Sequence, residues 1–237
     1  MSEGDYAMLR RLAVFAGLPD VEVRKLLGHM AITTVPRHTT LFLQGDPATR
    51  FYIIFEGWVK LYRQSADGHE SVIEVLTGGE SFAEAAIFDE SVYPVSAEVV
   101  CDARLLEVPG EPLLRALRSN ADLCLNIMSA MSRRMRQVVH QVEQITVRSS
   151  VERLALFLGQ LAARREGAVE LHLPIDKALI AARLGMQPET LSRSFSKLGS
   201  YGVKTQGSTV IIADVDILLT LGKDDEDLCP PRIDRCS

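Results

Sequence analysis

An α+β protein is predicted, because a run of short strands precedes a run of helices along the chain. Three observations carry that prediction. Short apolar segments separated by glycine turns fill residues 40–108, a heptad-spaced apolar seam follows, and two short helical stretches with a trailing hairpin occupy residues 174–212. Together they predict an antiparallel barrel or roll, one long helix and a C-terminal winged helix-turn-helix.

Residues 6–30 place Leu9, Leu12, Val14, Phe15, Val23, Leu26 and Leu27 at helical spacing, interrupted by Gly17-Leu18-Pro19-Asp20, which fits two short helices. The strand segments are Thr40–Leu43, Phe51–Phe55, Trp58–Tyr62, Val72–Leu76, Ala97–Val100 and Arg104–Val108. Gly45, Gly57, Gly68 and Gly79 stand where tight turns need positive φ. Residues 111–146 contain no glycine, and Pro112 lies where a helix start tolerates it. Cys124, Met128, Met131, Met135, Val138, Val142 and Ile145 are spaced alternately by four and three. So narrow a stripe favours a parallel pairing with a second copy over packing on the same domain, which is the other use of such a helix. The expected divisions are therefore a sensing domain at 1–110, a dimerisation helix at 111–146, a DNA-binding domain at 147–223 and a disordered acidic tail at 224–237.

The 237 residues carry a net charge of −5, distributed unevenly. Residues 1–146 hold 14 Lys/Arg against 19 Asp/Glu, residues 147–223 hold 10 against 7, and residues 224–237 hold 2 against 5. The segment with the helix pair is the basic one, so it is the part suited to phosphates. No run approaches the roughly 18 apolar residues of a membrane span, and residues 1–5 do not read as a signal peptide, so a soluble cytoplasmic protein is expected. The scattered Cys101, Cys124, Cys229 and Cys236 suggest neither a disulfide framework nor a metal site. A Ser/His/Asp order, a P-loop and a paired Cys/His site are all missing, which argues against an enzyme.

Within residues 175–198, Gly185 closes one helix, Met186-Gln187 makes a turn, and Pro188 opens a second. Leu191, Phe195 and Leu198 point inward on that second helix, leaving Glu189, Thr190, Ser192, Arg193, Ser196 and Lys197 outside. Arg can bond guanine, Glu can accept from cytosine N4 and Ser can serve either, so this face suits the major groove of double-stranded DNA. An ordinary helical hairpin with a solvated face is the alternative. The segments Val203-Lys204-Thr205 and Thr209–Ile212 read as a wing in which Lys204 could meet phosphate.

With these elements in order, the chain resembles the cyclic-AMP receptor and fumarate-nitrate reductase regulator (CRP/FNR) superfamily over residues 6–220. Phe51–Gly57, Gly79-Glu80-Ser81-Phe82-Ala83-Glu84-Ala85 and Leu173–Leu198 carry the likeness. The resemblance implies a cyclic-nucleotide-binding-like roll, a homodimer and contact with RNA polymerase. Pro188-Glu189-Thr190-Leu191-Ser192-Arg193 resembles the fumarate-nitrate type of recognition helix, so Glu189, Ser192 and Arg193 would read a TTGAT half-site in a TTGAT-N4-ATCAA palindrome.

The resemblance places an effector pocket at Phe82, Glu84 and Ser96. Cyclic-nucleotide binders of this fold follow the Glu with an Arg-Ser pair, whereas no Arg lies between Glu84 and Arg104 here, where Pro94-Val95-Ser96-Ala97 stands instead. A desolvated phosphate would lack its partner, which argues against cyclic AMP. No Cys precedes residue 101, so ligands for an N-terminal iron–sulfur cluster are missing. Phe82–Ala85 and Leu184–Thr190 look like the dissimilatory nitrate respiration regulators, a subgroup that implies nitric oxide sensed through haem b. Candidate axial ligands are His29, His38, His69, His140 and His172, none of them in an attachment motif. A ligand-binding module that acts on a protein partner, or a cyclic-nucleotide-dependent regulator, remains the alternative function.

Overall fold

The computed structural model describes residues 3–12, 15, 19–27, 30, 32–65, 67–90, 92–119, 121, 124–125, 128–129, 131–132, 135–136, 148–162 and 168–222. Helices α1 (Glu3–Leu9) and α2 (Asp20–Leu27) precede an antiparallel sheet. Its strands are β1 (Ile32–Val35), β2 (Thr40–Phe42), β3 (Arg50–Gln64), β4 (Glu70–Thr77), β5 (Ser81–Phe82) and β6 (Ser96–Pro109). They follow the order β1-β6-β3-β4, with β2 added on β6 and β5 on β3. Helix α3 (Gly110–Ser119) comes next, and every described position from 121 to 136 is also helical.

The strand expectations need one correction. Phe51–Phe55 and Trp58–Tyr62 belong to the single strand β3, and Ala97–Val100 and Arg104–Val108 to the single strand β6. Gly57 is therefore a bulge and not a turn: φ is +91°, and the β3–β6 register shifts between Ile54 and Glu56, Glu56 and Trp58, and Trp58 and Val59. A Cβ at this position would lie 2.3 Å from the Asp102 carbonyl oxygen, so glycine lets the two strands approach.

The bulge changes which residues face which core. Before it, Phe51, Ile53 and Phe55 pack with Leu9, Phe15 and Val23 of the N-terminal segment, while Tyr52 and Ile54 face the inside of the roll. After it, Val59 and Leu61 face inward, and Trp58 is turned away from the roll into a third cluster. Alternation along a strand has period two, so one extra residue exchanges the faces.

That third cluster is the core of the C-terminal unit. Helix α4 (Ser150–Ala162) opens on a capping box, in which Ser149 N donates to Glu152 Oε2 at 2.7 Å and Glu152 N to Ser149 Oγ at 3.3 Å. Then come β7 (Val169–His172), α5 (Lys177–Arg183), α6 (Pro188–Leu198), β8 (Val203–Gln206), β9 (Thr209–Ile212) and α7 (Val215–Gly222). Strands β7, β9 and β8 form a separate antiparallel sheet. The sequence reading overlooked α7, which covers this core with Val215 and Leu218 and packs so near Gly159 that a Cβ there would meet Leu219 at 2.7 Å.

Candidate nucleic-acid interface and sensing pocket

The helix pair is held by apolar contacts on one side only. Ile180 and Ala181 of α5 and Leu191, Ser194, Phe195 and Leu198 of α6 are buried. Ser194 is the unexpected inward polar residue, and its hydroxyl is satisfied by Thr190 O at 2.9 Å and Ser150 Oγ at 3.0 Å. Ala178, on the first helix of the pair, is exposed. Gly185 takes φ +61° as α5 ends, and Met186 N and Gly185 N donate to Ala181 O and Ala182 O. Pro188 occupies the first turn of α6, after the N-cap Gln187, whose side chain makes no capping hydrogen bond.

Glu189, Ser192, Arg193, Ser196 and Lys197 are exposed along α6, and Thr190 is half-buried. Arg193 Nε donates to Glu189 O at 3.3 Å, leaving the rest of the guanidinium at the surface. Lys204 is exposed on β8, across a tight turn in which Gly207 has φ +62°. Between α5, α6 and β8 lies an open cleft of about 260 Å³ lined by Lys177, Leu191, Ser192, Phe195, Ser196 and Thr205. The Lys177 ammonium stands 5.5 Å from the Phe195 ring centroid. Sequence reasoning passed over Lys177 because it lies in the first helix, where no outer-face pattern singles it out.

On the seam, Met128, Met131 and Met135 are 63%, 52% and 66% exposed, while Cys124 is half-buried and its thiol reaches Leu117 O at 3.2 Å. Val138, Val142 and Ile145 lie outside the described residues. Cys124 is a free cysteine.

In the roll, Phe82 belongs to a buried aromatic group. Phe42 and Tyr93 stack with centroids 3.7 Å apart, Tyr52 and Phe82 stack at 5.2 Å, and Phe42 lies 6.2 Å from Phe82. The Tyr93 hydroxyl donates to Arg50 O at 2.7 Å. Burial pushes both the Tyr52 and Tyr93 phenols above their usual range, so both stay neutral. Ser81 Oγ donates a short hydrogen bond to Glu84 Oε1, and buried Ser96 accepts from Gln44 N at 2.9 Å through Oγ. Ala83, between them in sequence, holds the left-handed φ of +69°.

The described histidines do not fit a haem ligand within an enclosed pocket. His38 is exposed and 3.4 Å from Glu98, His69 is exposed, and His172 is exposed with Ser208 Oγ 3.3 Å away. His29 and His140 lie outside the described residues.

Comparison with known proteins then separates the two units. The cyclic nucleotide-binding domain family matches residues 32–120, and the Crp-like helix-turn-helix domain family matches residues 152–221. The crystal structure of a Ruegeria pomeroyi protein described as a candidate cyclic nucleotide binding protein aligns over 94% of this chain and 99% of its own, with 36% identity and a TM-score of 0.79. This chain belongs to the CRP/FNR family of transcription regulators. The structure of DNR from Pseudomonas aeruginosa is also similar, at 30% identity, 93% and 99% coverage and a TM-score of 0.58. A further relative is the CRP-like cAMP-activated global transcriptional regulator of Mycobacterium tuberculosis, 25% identical over 216 residues that make up 89% of this chain and 96% of that one. The first family match covers the roll and the second covers the helix-turn-helix. Among the described residues, no helix is long and apolar enough to cross a membrane.

Proposed function

We propose that this CRP/FNR regulator works as a homodimer reading a TTGAT-N4-ATCAA-like palindrome, with Glu189, Ser192 and Arg193 contacting bases, Thr190 and Lys197 flanking them and Lys204 on phosphate. The observation that carries the reading is the exposure of Glu189, Ser192 and Arg193 together on a helix whose opposite face is wholly packed. The exposed Met128, Met131 and Met135 support pairing of the long helices, since a water-exposed thioether row at heptad spacing is covered when a second copy is added. Two-fold pairing sets the recognition helices about one helical turn of DNA apart. RNA polymerase is the proposed protein partner, on the strength of the family alone.

Selection from a library with randomised half-sites tests the reading. Arg193→Ala is expected to lose roughly 1–3 kcal/mol of discrimination at one base pair. Unchanged specificity would remove Arg193 from base reading. Met131→Lys is expected to raise the concentration at which the dimer forms, as sedimentation would measure, and an unaltered dimer would place the interface elsewhere.

For the signal, the absence of an Arg between Glu84 and Arg104 and the existing partners of Glu84 and Ser96 speak against cyclic AMP. The names of the Mycobacterium tuberculosis and Ruegeria pomeroyi relatives favour a cyclic nucleotide, which calorimetric titration with cyclic AMP decides. No heat is expected. We carry nitric oxide through haem b as the proposed signal on the resemblance alone, since the described histidines give it no ligand. A Soret band formed with haemin and shifted by nitric oxide would support it, and free haemin's spectrum would end it.

A further inference from the structure

One ion pair joins the pocket segment of the roll to the helix-turn-helix. Arg183, in the last turn of α5, places its Nη1 2.9 Å from Glu80 Oε2 and 3.1 Å from Oε1, and its Nη2 3.2 Å from Oε1. Nη1 also donates to Val75 O at 2.6 Å, at the end of β4. The two side chains are only 20% and 15% exposed, so this pair is largely removed from water and from salt screening.

Each end of the pair is fixed to something that can transmit displacement. The Glu80 carboxylate accepts from Thr77 N at 2.8 Å, while the backbone around it is tied to β3 by Gly79 N to Ile54 O at 2.8 Å and Ile54 N to Glu80 O at 2.9 Å. The residues that follow are Ser81, the buried Phe82, the left-handed Ala83 and Glu84, which is the pocket segment itself. At the other end, α5 packs on α6 through Ile180 and Ala181, and only the turn Leu184–Gln187 separates Arg183 from the reading helix. Around the pair, Trp58, Val75 and Cys101 from the roll are buried in one cluster with Phe157 and Leu158 of α4, and the Trp58 and Phe157 rings meet edge to face at 6.4 Å.

We infer that Glu80 and Arg183 couple the pocket segment of the roll directly to the helix-turn-helix, by a route that bypasses the long helix. The inference rests on α6 being the DNA reader. Packed elements move as units, so a rearrangement of residues 81–84 displaces Glu80 and, through Arg183, tilts α5 with α6. Coupling is reciprocal, so duplex bound at α6 must in turn alter the pocket segment. This gives a test that needs no knowledge of the signal.

Hydrogen exchange is measured on the full-length protein with and without a duplex carrying the TTGAT-N4-ATCAA palindrome. In the wild type, duplex is expected to change exchange in residues 79–88 by about fivefold or more, the lower end of ordinary coupling. Arg183→Ala is expected to retain duplex yet leave residues 79–88 unmoved, and Arg183→Lys, which keeps the charge without the fork, to respond weakly. An equal response in the wild type and Arg183→Ala, or none in the wild type that binds duplex, overturns the inference.

If the wild type retains no duplex, the DNA reading fails first, and the free protein still decides the contact. Trp58 is the sole tryptophan and lies at this interface, so its emission reports separation of the two units. Glu80→Gln preserves the size of the side chain and an acceptor for Thr77 N. It is expected to shift Trp58 emission to the red and to speed exchange in residues 79–84 and 176–184 together. Unchanged emission and exchange in that variant would overturn the coupling.

Discussion

The outer face of α6 and the interior of the roll are both made of closely placed side chains, but they meet their surroundings in opposite ways. Glu189, Ser192 and Arg193 stand in solvent on a helix held from behind, whereas Phe42, Tyr52, Phe82 and Tyr93 already satisfy one another by stacking. A surface for a polymer needs no cavity and carries little stabilising energy of its own. The packed interior of the roll is different, because any accommodation inside it must work against contacts that hold the fold.

The sharpest way to break this contrast is to compare truncations. Phe82→Ala is expected to lower stability by roughly 3–5 kcal/mol, since it empties a buried aromatic site inside the roll. Arg193→Ala should stay within about 0.5 kcal/mol, as exposed positions usually do. Urea unfolding of both measures the difference, and a large loss at Arg193 would make the reading face a structural one.

An intermediate effect comes from pH. The folded Tyr52 phenol is raised above the usual 10.0, chiefly by desolvation, with Tyr93 and Glu107 adding to it. The unfolded phenol ionises first, so the stability from keeping it neutral is intact below about pH 10 and falls by about 1.4 kcal/mol per pH unit above it. Tyr52→Phe should make alkaline unfolding shallower, leaving the smaller share due to Tyr93, and an unchanged pH slope would count against the buried phenol.

The smallest effect sharpens the contrast from the surface side. Helix α4 has a reciprocal cap from Ser149 and Glu152, but α6 begins at Gln187 without one. Gln187→Ser is expected to add about 0.5–1 kcal/mol to the thermal stability of the C-terminal unit. No gain would mean that the entry to α6 is already held by its packing.

How legible these regions were follows from the same physics. The face of α6 was readable because period 3.6 assigns exposure without any tertiary knowledge, and Pro188 and Gly185 mark its entry. Glycine positions also marked the turns at Gly45, Gly68 and Gly79, where φ is positive. Gly57 misled, because glycine serves turns and bulges alike, and only the partner strand reveals which. Glu80, Arg183 and Trp58 were invisible as partners: they meet through the juxtaposition of two units, about which local periodicity says nothing. The aromatic group was hidden for a related reason, since Phe42, Tyr52, Phe82 and Tyr93 come from four separate segments.

The bulge at Gly57 also makes the length of this strand as consequential as its composition. Removing a single residue between Glu56 and Trp58 would cancel the phase change, sending the indole toward the inside of the roll and Val59 and Leu61 toward its surface. A loop such as Asp67-Gly68, where an added Cβ meets nothing within 4 Å, absorbs an extra residue without such a swap. Homologous chains are thus expected to vary in length at residues 65–69 and to keep a fixed count through 51–62, so that an indel there marks a chain whose two halves are joined differently.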